Sequence, residues 1–151
     1  MIEEKIKELG YNLPEIAKPL AAYIPAIKTG ELVFTSGQVP LVGGELKYNG
    51  KVGTDLTLED GQRAAIICAL NGLSAIKGLV GDLNKIEQII KVTVFVNSAN
   101  GFTDQPKVAN GASEFLGSVF GDAGIHTRSA VGVSELPINS AVEIEMIVKV
   151  K

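Results

Sequence analysis

VEIEMIVKV, residues 142 to 150, alternates without a break: Val142, Ile144, Met146, Val148 and Val150 fall on one side, Glu143, Glu145 and Lys149 on the other. A β-strand sends successive side chains to opposite faces, so this stretch predicts a strand with one buried face and one largely polar face. Working outward, residues 127–133 can take the same period, with Ser129, Val131 and Val133 on one face and Arg128, Ala130 and Gly132 on the other. Leu136-Pro137-Ile138-Asn139 between them reads as the turn of a hairpin joining the two strands. Residues 89–96, IIKVTVFV, are β-branched and nearly continuous, as expected of a central strand.

Helical spacing takes over elsewhere. Thr57 followed by Asp60 resembles a capping box, and Ala65, Ile66, Ala69, Leu70, Leu73, Ile76 and Val80 then predict a long helix that stops at Gly81-Asp82. Val108, Ala112, Phe115, Leu116 and Val119 define a second core helix closed by Gly121. Ile2, Ile6 and Leu9 form the stripe of a short helix ending at Gly10, an accessory arm within an N-terminal extension over residues 1–20. Extended segments around residues 23–26 and 32–36, divided by Lys28-Thr29-Gly30, suggest a second hairpin; Pro40 and Gly43-Gly44 precede a polar loop through Tyr48, Gly50 and Gly53. The predicted order is α-β-β-α-β-α-β-β, a single α+β domain over residues 1–151 in which two main helices cover one face of a mixed sheet. Leu32 or Val33, Phe95 and Ile147 then lie on the other face with no helix to bury them, which predicts that self-association covers it.

Composition narrows the function. A chain of 151 residues with 46% apolar and 21% charged residues is the size and make-up of one globular domain. The uncharged run 64–76 is too short to cross a bilayer and reads as a buried helix, so no membrane partner is expected. MIEEKIKELGYN carries no apolar signal core, which makes the cytoplasm the expected address. One cysteine, Cys68, and one histidine, His126, can form neither an intramolecular disulfide nor a zinc-ligand set, so no zinc site is expected. A net charge of -3 and no tryptophan disfavour nucleic acid as a partner. Nucleotide-binding glycine motifs and metalloprotease helices are absent from the sequence.

Of the 14 basic residues two are arginines, Arg63 on the surface of the long helix and Arg128 in a strand of small residues. Beside Ala130 and Gly132 a guanidinium would stand at the rim of a hollow, suited to bidentate capture of a carboxylate; an ion pair with Glu143 or Glu145 across the hairpin is the simpler reading of the same spacing. Glu143 and Glu145 share a face and could be a paired acid and base, or equally a solvated stripe. His126 can share a face with Arg128, but Ser129 would face away from it, which argues against a local Ser-His pair.

The SGQ-x-P turn at Ser36 to Pro40, the Arg128-Ser129 pair, and Leu136-Pro137 followed by VEIE at Val142 to Glu145 together resemble the Rid (YjgF-type) family of enamine/imine deaminases, over roughly residues 23–151. The spacing agrees, with Tyr23 thirteen residues before Ser36 and Glu143 fifteen after Arg128. The resemblance implies a chorismate-mutase-like α+β fold, a homotrimer with pockets between subunits, and cofactor-free hydrolysis of 2-imino or 2-enamino acids to 2-oxo acids and ammonia. It makes Arg128 the clamp for the substrate carboxylate and Glu143 the group that positions water, with Tyr23, Ser36, Asn110 and the backbone of Ala130 lining the pocket. Ala130 stands where short members commonly have cysteine, His126 where they have proline, and Ala21-Ala22 where they have Gly-Pro, changes that resemble a longer branch of about 150 residues. Alternatives within the same fold are a non-catalytic or regulatory trimer that binds small carboxylates and, less favoured on charge, a ribonuclease.

Overall fold

Thr57 and Asp60 cap the longest helix reciprocally: the Asp60 amide donates to Thr57 Oγ1 at 3.1 Å and the Thr57 amide to Asp60 Oδ2 at 3.0 Å. From that start α2 runs Leu58–Val80 and ends on Gly81, whose φ of 85° is the left-handed conformation glycine accepts most readily. By length and composition α2 could cross a membrane, but its apolar stripe, including Ala65, Cys68, Leu73 and Ile76, is buried within the fold. The computed structural model describes residues 1–16 and 22–151. The remaining elements are α1 (Ile2–Glu8), β1 (Ala26–Thr29), β2 (Leu32–Thr35), β3 (Leu41–Val42), β4 (Glu45–Leu46), β5 (Ile86–Asn97), α3 (Gln105–Phe120), β6 (Thr127–Val133) and β7 (Val142–Val150).

The main sheet has five strands in the order β1-β2-β7-β5-β6. β1, β2, β7 and β5 are antiparallel neighbours, whereas β6 runs parallel to β5. Parallel neighbours need a crossover, and α3 supplies it by lying over the sheet between β5 and β6. The expected hairpin between β6 and β7 is therefore not formed. Both strands have the right period, but the apolar run of β5 takes one on each edge, and residues 134–141 cross its end instead of turning back. The first hairpin also shifts. Its turn is at Gly30-Glu31, with Lys28 paired to Val33 and Thr29 to Leu32. Gly43 and Gly44, at φ 59° and 80°, turn the small β3-β4 ribbon where only a loop was expected.

Pairing fixes the faces. Val33, Val92, Val94, Val96, Ile144, Met146 and Val148 are buried beneath α2 and α3. On the opposite face lie Leu32, Phe34, Phe95 and Ile147, with Ile27 at 56%, Val131 at 43% and Phe34 at 38% exposed. Leu32, not Val33, is thus the open-face residue of β2. The accessory arm is docked: Ile6 of α1 is fully buried, Glu3 pairs with Lys77 at 2.9 Å, and Tyr11 meets Phe115 edge-on with ring centroids 5.3 Å apart.

At the end of β5, Asn97 ties the loops together. Its amide donates to the carbonyls of Gly50 and Ser140, at 3.3 and 3.1 Å, and its Oδ1 accepts from Lys51 Nζ at 3.0 Å. α2 and α3 approach closely at Gly111, where a Cβ would collide with the backbone carbonyl of Gln62. Gly111→Ala should push the helices apart and destabilise the protein by about 1–3 kcal/mol, read from urea unfolding.

Candidate functional site

Two groups of the expected site residues occur in this fold, on opposite faces of the sheet. The first surrounds Glu143. The Gln38 amide donates to the Ile144 carbonyl at 2.8 Å and the Ile144 amide to the Gln38 carbonyl at 2.9 Å, so the Ser36-Gly37-Gln38 turn is stitched to β7 beside Glu143. Glycine at 37 leaves room for the carboxylate, since a Cβ there would stand 2.6 Å from Glu143 Oε1 and displace it. Ser36 Oγ donates to the Ile24 carbonyl at 2.6 Å and its amide to the Pro25 carbonyl at 2.8 Å, which ties the segment carrying Tyr23 to the same turn. Tyr23 and Gly37 line a cavity of about 730 Å³, together with Pro14, Ile16, Val39 and Asn71.

Glu143 is half-buried, and among the described residues no cation lies within ion-pair distance of it. Loss of solvent, with the Glu145 carboxylate nearby as a smaller contribution, raises its pKa above the ordinary 4.5. A carboxyl in that state can take a proton from water and return it.

The second group lies on β6 and α3. Arg128, Ala130 and Gly132 pair with Val92, Val94 and Val96 and so face α3. Arg128 Nη1 donates to Asn110 Oδ1 at 2.8 Å and to Ser113 Oγ at 3.2 Å. Asn110 and Ser113, one turn apart on α3, present their side chains on one side of the helix. The hollow expected beside Gly132 is occupied, because a Cβ at Gly132 would meet Gln105 Nε2 at 2.7 Å and Ser98 Oγ at 2.9 Å. Half-buried Ala130 leaves the shallower space next to Arg128. His126 does have a serine partner, from the helix and not from its own strand: Ser113 Oγ lies 2.9 Å from Nε2, and Nδ1 lies 2.6 Å from the Gly124 carbonyl.

The cross-hairpin ion pair is excluded by β5, which separates the two strands. Glu143 pairs with Phe95 on the open face, while Arg128 pairs with Val92 on the helical face. With two strand spacings between β6 and β7, the two backbones stand about 10 Å apart across the sheet. One chain brings together Tyr23, Ser36 and Glu143, and separately Asn110, Ala130 and Arg128. Ser113 escaped the sequence reading; its signal was the three-residue spacing from Asn110 on a helix. Arg63 sits on the surface of α2, paired with Asp60 at 3.4 Å.

Residues 3–150 match the family described as "YjgF/chorismate_mutase-like, putative endoribonuclease". The chain belongs to that YjgF family. Among curated relatives, Protein TCP17 of Trypanosoma cruzi is 41% identical over 98% of this chain and 93% of its own length. A 2-iminobutanoate/2-iminopropanoate deaminase of Dermatophagoides farinae is 31% identical over 93% and 94%. Among solved structures, the Agrobacterium tumefaciens protein Atu1372, of unknown function, superposes with a TM-score of 0.91 at 43% identity, covering 99% of this chain and 91% of its own. Escherichia coli TdcF, crystallised with bound serine, superposes at 0.62 with 27% identity, covering 92% and 94%. The YjgF fold is chorismate-mutase-like, as the sequence resemblance implied, and the family includes reactive-intermediate deaminases.

The raised pKa of Glu143 makes its ionised form the costly one in this YjgF chain. The cost is absent below the unfolded value near 4.5 and grows as pH rises through the higher folded value. Glu143→Gln, a neutral isostere of the protonated acid, should therefore raise the melting temperature at neutral pH. Thermal melts across pH should show that gain shrinking as pH falls toward 4.5.

Proposed function

We propose that the protein hydrolyses 2-imino acids, in balance with their 2-enamine tautomers, to 2-oxo acids and ammonia, in a homotrimer whose pockets form where Arg128 of one subunit meets Glu143 of the next. One observation carries this reading. Among the described residues, Arg128 is bonded only to neutral acceptors, while half-buried Glu143 has no cation partner. A cation and a carboxylate, each without an opposite charge, suit a pocket completed by a second copy and a charged substrate. The open sheet face with Phe34, Phe95, Val131 and Ile147 offers the apolar surface such an assembly would bury. The deaminase relative and the serine-bound neighbour support a small amino-acid-like ligand.

In the reaction, Arg128 holds the substrate carboxylate with a forked pair of N–H donors. The protonated imine carbon is already electrophilic, so the protein has to orient it and place a water within about 3 Å. Water adds to that carbon as Glu143 takes its proton. Glu143 then returns the proton to the nitrogen of the tetrahedral adduct, the C–N bond breaks as the C=O bond forms, and the hydroxyl proton passes to Glu143 and from it to the departing ammonia, which leaves as ammonium. Tyr23, Ser36, Asn110 and Ala130 line the pocket, and no metal or cofactor takes part.

Generating 2-iminobutanoate in situ and following its loss tests the proposal. The protein should accelerate that loss. Arg128→Ala should abolish both turnover and thermal stabilisation by 2-oxobutanoate, and Arg63→Ala should affect neither. Glu143→Gln should cut kcat by about 10²-fold or more while retaining 2-oxobutanoate. Binding without acceleration in the parent would leave a carboxylate-binding trimer in place of an enzyme.

A further inference from the structure

The chain has a single histidine, and the structure gives its imidazole a defined task. His126 Nδ1 faces only an acceptor, the Gly124 carbonyl at 2.6 Å, so Nδ1 carries the proton of the neutral ring and Nε2 is left as an acceptor. Ser113 Oγ, 2.9 Å away, must then donate its one proton to Nε2. The lone pairs of that oxygen are turned to Arg128 Nη1 at 3.2 Å, which also reaches Asn110 Oδ1 at 2.8 Å. The bonds run in one direction: guanidinium to hydroxyl, hydroxyl to imidazole, imidazole to backbone carbonyl.

We propose that His126 and Ser113 are positioning residues for Arg128, holding its guanidinium in a fixed, fully charged state aimed at a planar carboxylate. This rests on the carboxylate-clamp role proposed above for Arg128. An arginine side chain has much rotamer entropy to lose, and a binding site gains if the protein rather than the ligand orders it. A carboxylate partner within the chain would order it too, but would compete with the substrate for the charge. Ser113 and Asn110 are neutral, so they orient the fork without neutralising it. Among the described residues only Nη1 is engaged, leaving Nη2 and Nε for a ligand. The histidine is needed because a helical serine otherwise turns its hydroxyl back to the carbonyl four residues earlier, away from Arg128. With Nε2 taking its proton, the hydroxyl stays on the arginine side.

The test combines spectroscopy, binding and turnover on the full chain. Since His126 is the one imidazole, ¹⁵N shifts report its tautomer without overlap, and the parent should show the Nδ1–H form. Ser113→Ala and His126→Phe should each raise the Kd for 2-oxobutanoate and the KM for 2-iminobutanoate about tenfold, with kcat held within twofold. Ser113→Thr, which keeps the hydroxyl, and His126→Gln, which keeps an acceptor near Nε2, should recover most of the affinity in variants that melt like the parent. The double variant Ser113→Ala/His126→Phe should bind no worse than either single one, because both break the same chain. An Nε2–H tautomer in the parent, additive losses in the double variant, or unchanged binding in Ser113→Ala while Arg128→Ala abolishes it would each overturn the positioning role alone. A parent that does not bind 2-oxobutanoate at all would instead overturn the clamp role of Arg128 and the positioning role with it.

Discussion

The hydrogen-bond ladders on the two edges of β5, antiparallel to β7 and parallel to β6, set the position of every chemical group in this protein. Side chains alternate along a strand, and paired residues share a face. Once Val92 pairs with Arg128 and Phe95 with Glu143, the guanidinium must lie under α3 and the carboxylate on the open face. The same ladders require α3 to act as a crossover, and that crossover brings Asn110 and Ser113 over Arg128.

This separation leaves an unusual charge state. The ion pairs elsewhere lie toward the surface, such as Lys149 with Glu87 at 3.0 Å and Lys51 with Glu135 at 3.4 Å, contacts worth little in water. Arg128 is partly buried and bonded to neutral acceptors, while partly buried Glu143 has no cation partner among the described residues. Glu143 carries the consequence in its raised pKa, and Gly37 carries it sterically, by admitting the Ser36–Gln38 turn to within touch of the carboxylate. Such features weaken an isolated chain slightly, and the proposed assembly with its ligand would compensate them. Apolar open-face residues and charges without an opposite partner are the two features on which the proposed association between copies rests.

Much of this was legible in the residues. The capping pair Thr57 and Asp60 with the stripe from Ala65 to Val80 specify one helix, and the alternation of Val142 to Val150 one strand, through neighbours a few positions away, and both elements stand where the pattern puts them. Arg128 and Glu143 stood out because charges are conspicuous among small and β-branched residues. Ser113 did not, because its three-residue spacing from Asn110 is ordinary on a helix, and its partners, His126 and Arg128, come more than ten positions later, just before and in β6. The glycine of the Ser36-Gly37-Gln38 turn could be seen, but not the carboxylate it makes room for, more than a hundred residues away.

By itself, the sequence determined the two main helices, the last strand with its buried face and the α+β class, because periodicity and capping are local properties of the chain. Only the tertiary structure decided that β5 lies between β6 and β7, that Arg128 and Glu143 occupy opposite faces, and that His126 finds its serine on α3. Strand order and side-chain partners depend on which distant edges pair, and a strand with a correct period of two is equally compatible with either neighbour until the crossover helix removes the choice.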